Sequence, residues 1–311
     1  CIRDRYIGIK QEQIFSHFDP LEFLIQVAHR QGIKVHAWFE FGFSFAYDDP
    51  ESVWIEKYPE WLGRDREGKI LKKNNFMWWN ALHPGPQKFL LELIEEVVTN
   101  YDIDGIHFDD YFYPYTIKGE IIPDSKQFEK YGKEYSNIHD WRRGNINTLI
   151  REISIEIKKT KRHVKFGISP LAVWRNKTQD KLGSETASGQ SSYDNLYCDT
   201  KLWIEEDLVD YMAPQLYGST KNKYANYHNL IDWWTKNNYN HHLYVGHAIY
   251  KLDIQNRRTI GTDELIKQVE ISRMKKNING NIYFRAQAFV KNHQNFQNVL
   301  NKSIYKFPAL I

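Results

Sequence analysis

The chain has 311 residues, with 42 Lys and Arg against 39 Asp and Glu, a formal net charge of +3 and 41% apolar residues. That is an ordinary globular make-up: without a basic block it speaks against a nucleic-acid partner, and no run of about 18 apolar residues is present to cross a bilayer. The length suits one α/β domain over 1–311, and the two cysteines, Cys1 and Cys198, give neither a disulfide framework nor zinc spacing.

In chain order, Asp19-Pro20 caps a helix with Leu21, Leu24, Ile25 and Ala28 on one face, and Gly32 stops it. Residues 33–39 read as a strand. A long loop follows, then a helix over 84–101 with Phe89, Leu90, Leu93, Ile94 and Val97 at helical spacing, and a strand over 105–108. The unit recurs as helix 138–160 with strand 164–169, helix 200–208 with strand 210–216, helix 224–236 with strand 243–247, and helix 262–276 with strand 281–285, before a closing helix over 292–301. Alternating helices and short strands imply parallel pairing with right-handed crossovers.

No Gly-rich phosphate turn supports an open doubly wound sheet. Polar or aromatic clusters end every strand instead: Glu40, Asp109-Asp110, Ser169, Gln215 with Tyr217, His247 and Arg285. That distribution suits a (β/α)8 TIM-type barrel, whose chemistry lies at the C-terminal strand ends. Six βα units are visible, so the first one or two strands are expected to be missing. The opening Cys1, with no leader-like segment, fits a processed or truncated chain.

The sharpest run is Asp104-Gly-Ile-His-Phe-Asp-Asp-Tyr-Phe-Tyr-Pro. With Ile106 and Phe108 facing the helices, alternation turns His107 and Asp109 inward, and Asp110 begins the loop. Asp104, before Gly105, reads as a structural turn residue. Paired carboxylates suit glycoside hydrolysis, in which one protonates the leaving oxygen and the other supports or attacks the anomeric carbon. Asp109 is expected to be the anion, with Asp110 or Glu40 as the acid; a salt bridge to Arg175 or Arg285 is the structural alternative for Glu40. A divalent metal on His107, Asp109 and Asp110 would need further histidines at helical spacing, which His36, His241, His242 and His247 do not supply, so no metal or other cofactor is expected.

The chain also holds 10 Trp, 20 Tyr and 17 Phe. Trp54, Trp61, Trp78, Trp79 and Trp174 fall in polar, loop-like sequence, where a flat ring with a polar edge suits a sugar face; core packing is the alternative.

Five blocks fall in order and carry a specific resemblance: the Asp104 run, Gly167-Ile-Ser-Pro-Leu-Ala-Val-Trp-Arg-Asn, Asp210-Tyr-Met-Ala-Pro-Gln-Leu-Tyr, Val245-Gly-His-Ala-Ile-Tyr-Lys and Ile282-Tyr-Phe-Arg-Ala-Gln-Ala-Phe. With the block from Asp19 to Phe39, they resemble the family-10-like bacterial glycosyl hydrolases. The resemblance implies a TIM-type barrel, secreted or located in the cell envelope, acting on polysaccharide, in some relatives on peptidoglycan glycan strands stripped of peptides. It also implies two strands ahead of the Asp19 block. The family pattern carries Asn where this chain has Glu40, which puts a family-wide catalytic role for Glu40 in doubt. A fainter likeness to family-18 chitinases matches Asp109 but places His107 and Tyr111 where that motif has acids.

The expected function is therefore an O-glycosyl hydrolase on N-acetylated bacterial glycan, retaining or substrate-assisted. Asp109, Asp110 and Glu40 would do the chemistry, while Trp38, Trp78, Trp79, Asn80, His107, Tyr111, Trp174, Arg175, Gln215, Tyr217 and His247 would shape the sugar cleft. A non-catalytic glycan-binding barrel and, less favoured, a metal-dependent sugar deacetylase are the alternatives.

Overall fold

The computed structural model describes residues 18–40, 42, 44–47 (backbone), 52–65, 67–73, 76–80, 83–116, 122–239, 241–256 and 258–306. They belong to two compact units, one of Cys1–Gly167 and Tyr193–Asp199, the other of Ile168–Ser192 and Thr200–Ile311.

In the first unit, helix α1 (Pro20–Arg30) starts as the sequence dictates. Asp19 accepts hydrogen bonds from the Leu21 and Glu22 amides at 2.9 and 3.0 Å, and Pro20 fills the position where an amide would be wasted. Only part of the expected apolar stripe is covered: Ile25 and Ala28 are buried, whereas Leu24 is 54% exposed. Strand β1 (His36–Phe39) follows.

The stretch expected to be a long loop folds into an antiparallel sheet of three short strands, β2 (Ser44–Tyr47), β3 (Lys72–Lys73) and β4 (Phe76–Trp78), ordered β2-β4-β3, with helix α2 (Val53–Lys57) between β2 and β3. Its tryptophans pack on each other. The Trp54 ring lies edge-on to Trp79 at 5.1 Å and stacks on Trp61 at 6.2 Å, with Phe89 of helix α3 (Pro84–Asn100) 5.0 Å away.

Strand β5 (Gly105–Phe108) pairs in parallel with β1, setting His36 opposite Gly105 and Trp38 opposite His107. Gly105 has a steric reason, because a Cβ there would come within 2.6 Å of the His36 ring. Asp104 is structural, as expected. Its Oδ2 accepts from the Val35 amide at 2.7 Å and lies 2.9 Å from His29 Nε2, tying α1, β1 and β5 together. Burial alone would raise its pKa, but these two bonds and the nearby cationic groups hold it below the ordinary carboxylate value.

After helix α4 (Ser125–Tyr131) comes α5 (Ile138–Thr160), with the bounds the sequence gives. Ile146, Leu149, Ile150, Ile153 and Ile157 make one stripe at helical spacing, all buried, and the helix packs against α3. Each such side chain contributes about 1.5–3 kcal/mol relative to exposure. Strand β6 (Lys165–Ile168) completes the parallel order β1-β5-β6, with Ile106, Phe108 and Phe166 fully buried. Ile168 is already part of the second unit.

The short helix α6 (Ser192–Asn195) precedes α7 (Thr200–Glu205) and β7 (Tyr211–Met212). This strand is shorter than the expected 210–216 because Pro214 has no amide to donate; its carbonyl still accepts from the Gly246 amide at 3.0 Å, and Gln215 beyond it bridges Leu171 and Gly246. The unit then alternates through α8 (Tyr227–Lys236), β8 (His242–His247), α9 (Thr262–Arg273) and β9 (Gly280–Tyr283), with parallel order β7-β8-β9. In place of one closing helix over 292–301 there are two, α10 (Ala286–Lys291) and α11 (Phe296–Ser303), divided where Asn292 and Asn295 take left-handed backbone, φ 44° and 57°. Its core includes Leu252, Leu265, Phe296 and Leu300.

Among the described residues, six parallel strands alternating with helices make the fold an incomplete (β/α)8 barrel. Among the described residues no helix is long and apolar enough to cross a membrane.

Candidate active site

Strand β5 ends in the two carboxylates the sequence singles out. Asp109 is half-buried, and its Oδ1 accepts the Asp110 backbone amide at 2.9 Å. Burial first, then the charge of Asp110 and more weakly that of Glu40, hold the Asp109 carboxyl well above its ordinary pKa. The three carboxylates expected to do chemistry therefore influence one another at the end of β5. This direction runs against the expectation that Asp109 is the anion, since it favours the protonated form.

Asp110 is only 2% exposed, and its Oδ2 accepts a hydrogen bond from the Tyr115 hydroxyl. A carboxylate so enclosed is poorly placed to hand a proton to a ligand. The turn after it is tightened by the Phe112 amide donating to the Asp110 carbonyl at 2.9 Å. The loop after β1 passes close by: Gly42, at φ +49°, leaves no room for a Cβ, which would lie 2.5 Å from the Tyr111 carbonyl oxygen. Glu40, at the end of β1, is half-buried. His107 is half-buried and pushed down to about 4, by burial and then by the charge of His36, so its imidazole is neutral near neutral pH.

Of the expected sugar platforms in this unit, Trp38 is 43% exposed, while Trp54, Trp61, Trp78 and Trp79 are buried. The stacking role expected for that set gives way to core packing because large rings brought into one small sheet cover one another. Trp78 and Trp79 nevertheless reach the wall of a cleft of about 440 Å³, counting the solvent at its mouth, together with Asn80. The Tyr111 ring is half-buried, 6.2 Å from Trp78.

The second unit holds the remaining candidates. Trp174 is buried and stacks on Trp233 at 5.8 Å. Arg175 pairs with Asp180 at 3.1 Å. Gln215 donates to the Ser169 carbonyl at 2.9 Å, and Tyr217 is half-buried, with its ring against Phe284 and its carbonyl accepting from Lys251 at 2.7 Å. His247 is fully buried rather than cleft-lining: its ring stacks between Tyr227 and Tyr283, and its Nε2 lies 2.7 Å from Asn281 Oδ1. Burial pushes it down to about 4, so it is neutral there.

The glycosyl hydrolase-like 10 model matches residues 4–260. The chain belongs to that family. It is 38% identical over 303 residues to glycosyl hydrolase YngK of Bacillus subtilis, covering 94% of this chain and 58% of that protein. It is 34% identical over 291 residues to glycosyl hydrolase DigH of Escherichia coli K12, covering 86% of this chain and 64% of that one. The chain thus spans about three fifths of the length of these relatives. Among solved structures, the glycoside hydrolase domain of PgaB (BpsB) from Bordetella bronchiseptica superposes with a TM-score of 0.59 at 15% identity, over 91% of this chain and 78% of that domain. An α-L-fucosidase isoenzyme from Paenibacillus thiaminolyticus does so with 0.54 at 14%, over 93% and 40%. At such identity these two likenesses speak to the fold, and they agree with the barrel.

Sequence reasoning passed over Tyr115, which contacts Asp110, and the buried pair Asp124–Arg142, in which the guanidinium Nε donates to Asp124 Oδ2 at 2.8 Å and a second bond runs from Nη2. Burial alone would lower the Arg142 pKa; the bonds to Asp124 and its charge raise it overall. The signal for Tyr115 was present, as the last tyrosine of the aromatic run after the carboxylates. Asp124 and Arg142 lie 18 positions apart, and nothing local links them. Among the described residues no three His, Cys, Asp or Glu side chains are arranged to hold a metal ion.

Proposed function

We propose that the protein is a glycoside hydrolase acting on bacterial polysaccharide, with N-acetylated peptidoglycan glycan strands as the substrate class, working outside the cytoplasm as a secreted or envelope protein. The observation that carries the reading is the half-buried Asp109 carboxyl, biased toward its protonated form by burial, Asp110 and Glu40 at a strand end. That is the state a general acid needs before it protonates a glycosidic oxygen. Asp109 then acts as proton donor, in place of the anionic role its position in the motif suggested. Asp110, held by Tyr115, stays behind it and helps keep the donor's pKa high. The developing charge at the anomeric carbon falls to Glu40 or to the substrate's own acetamido oxygen. Family membership and the names of YngK and DigH support the reaction class.

Incubating the protein with glycan strands freed of peptides and measuring new reducing ends tests this. Reducing ends that appear with wild type and vanish with Asp109→Asn support the reading. Strands that stay intact but are retained on the protein would replace it with a glycan-binding role.

A further inference from the structure

Three strand ends of the second unit meet in one cluster of rings around a lysine. Tyr217 follows β7, the turn Ile249–Leu252 after β8 supplies Tyr250 and Lys251, and Phe284 follows β9. The Tyr217 and Phe284 rings lie 16° from parallel at 6.3 Å, and Tyr250 stands edge-on to both, at 6.0 and 5.7 Å. The Tyr250 amide donates to the Phe284 carbonyl at 3.1 Å, which ties the ends of β8 and β9 together. All three residues are half-buried and keep some surface. These are C-terminal strand ends, the face on which a (β/α)8 barrel carries its ligands.

Packing does not account for Lys251. It too is half-buried, and one of its three ammonium N–H bonds goes to the Tyr217 carbonyl at 2.7 Å. Its Nζ lies 5.8 Å from the Tyr217 ring centroid and 6.0 Å from that of Tyr250, the outer reach of a cation–π contact. Among the described residues no carboxylate pairs with it; Asp253, two positions on, faces His293 instead at 3.8 Å. The charge that acts on it is another cation. The Lys251 carbonyl accepts from the Thr259 hydroxyl and the Ile260 amide, both at 2.9 Å, which brings the exposed Arg258 near enough to repel it. Burial first, then Arg258, lowers the Lys251 pKa. Methionine would fill the same space among the rings without that cost. A half-buried cation beside a second one is an arrangement that an anion relieves.

Rings with open surface suit the apolar face of a sugar, and neighbouring cations suit a carboxylate. A neutral glycan would leave the cations unanswered, and a small inorganic anion would leave the rings unused. We infer that the ends of β7, β8 and β9 form a subsite for a sugar unit carrying a carboxylate, with Tyr217, Tyr250 and Phe284 against the sugar and Lys251 and Arg258 on the acid. A uronic acid and a muramic acid unit whose lactyl group bears no peptide share that chemistry. The inference deepens the proposed function by naming the charge of the glycan recognised, and it rests on the glycan reading of the protein, though not on its catalysis.

The test is calorimetric titration of the full chain carrying Asp109→Asn, so that nothing is hydrolysed. Two pairs of tetrasaccharides separate the sources of the acid. Chitotetraose is set against a peptide-free fragment of alternating N-acetylglucosamine and N-acetylmuramic acid, which adds only the lactyl groups; cellotetraose is set against its C6-oxidised, uronic form. In at least one pair the acidic member is expected to bind about 10-fold more tightly at low salt, with the contrast shrinking at about 0.5 M salt; that pair names the source. Adding Lys251→Met should weaken the acidic member about 10-fold and leave the neutral one within about 2-fold. Arg258→Gln, at an exposed position, should weaken the acidic member about 2- to 3-fold with an unchanged melting temperature, so the test survives a folding defect in Lys251→Met. Equal affinity for both members of both pairs, a contrast unaltered in both variants, or equal loss for acidic and neutral members overturns the inference. No binding of any of the four probes overturns the glycan reading with it. A wild-type protein that binds with this contrast yet releases no reducing ends overturns the hydrolase reading alone.

Discussion

Asp109 at the end of β5 and His247 at the end of β8 begin as equals: each is a polar residue closing a parallel strand, and each sequence block reads as site-forming. The structure treats them differently. Asp109 keeps part of its surface and lies among charges of its own sign, so burial and Asp110 drive it toward its protonated form. His247 loses all its surface between two tyrosine rings, and burial strips its charge instead. A polar residue at a barrel strand end is therefore a candidate only when some of its surface stays open and its neighbours bias it toward a useful protonation state.

The contrast breaks first under Asp109→Asn, which should cut glycan hydrolysis about 10³-fold, within the range general acid catalysis supplies, while the melting temperature moves only a few degrees. Retained turnover by a reducing-end assay would remove Asp109 from the chemistry.

Tyr115→Phe should cost less, about 10- to 100-fold in activity and about 1–3 kcal/mol in stability, because the enclosed Asp110 loses the hydroxyl that bonds it. Denaturant melts beside the same assay check both.

Asp110→Asn tests the cause of the bias. Removing that charge should lower the pKa of Asp109, so the alkaline limb of the pH–rate profile moves to lower pH. A limb that stays in place would mean that burial alone sets it.

His247→Leu should leave hydrolysis within about 2-fold of wild type and change stability at pH 7 by less than about 1.5 kcal/mol, since Asn281 Oδ1 still accepts from Ser272 at 2.6 Å. The sign then turns with pH. The folded imidazole takes its proton near 4, the unfolded one near its ordinary value of about 6.5. Between those values the unfolded chain binds more protons, and wild-type stability falls as pH drops. By pH 5 the variant should gain about 2 kcal/mol relative to wild type, read from urea melts at both pH values. Parallel curves would show that His247 does not titrate in this way.

What was legible follows from the length over which a pattern repeats. Helix α5 carries its apolar stripe from Ile146 to Ile157, about three turns, and its bounds in the structure match those read from the sequence. The β5 strand shows its alternation and its abrupt carboxylates. In the small sheet, β3 and β4 have only two and three residues, too few for any alternation to show. Strand β7 was overread, since Pro214 interrupts its ladder. At the candidate site, residue identities were legible but protonation was not. Which of Asp109 and Asp110 keeps its surface depends on Tyr115 and on the depth of the turn, and the motif encodes neither. The tryptophans were misjudged for a related reason: polar neighbours in sequence do not reveal that Trp54, Trp61 and Trp79 enclose each other in space.

Asp104 lies at the opposite end of β5 from Asp109. Through one oxygen it grips the Val35 amide and faces His29, so a single side chain clamps the roots of two neighbouring strands. From that clamp, β5 runs only four residues, about 13 Å, before Asp109. A rod so short has little slack, and the height at which the Asp109 carboxyl stands is dictated from below, by a side chain at the far end of the strand.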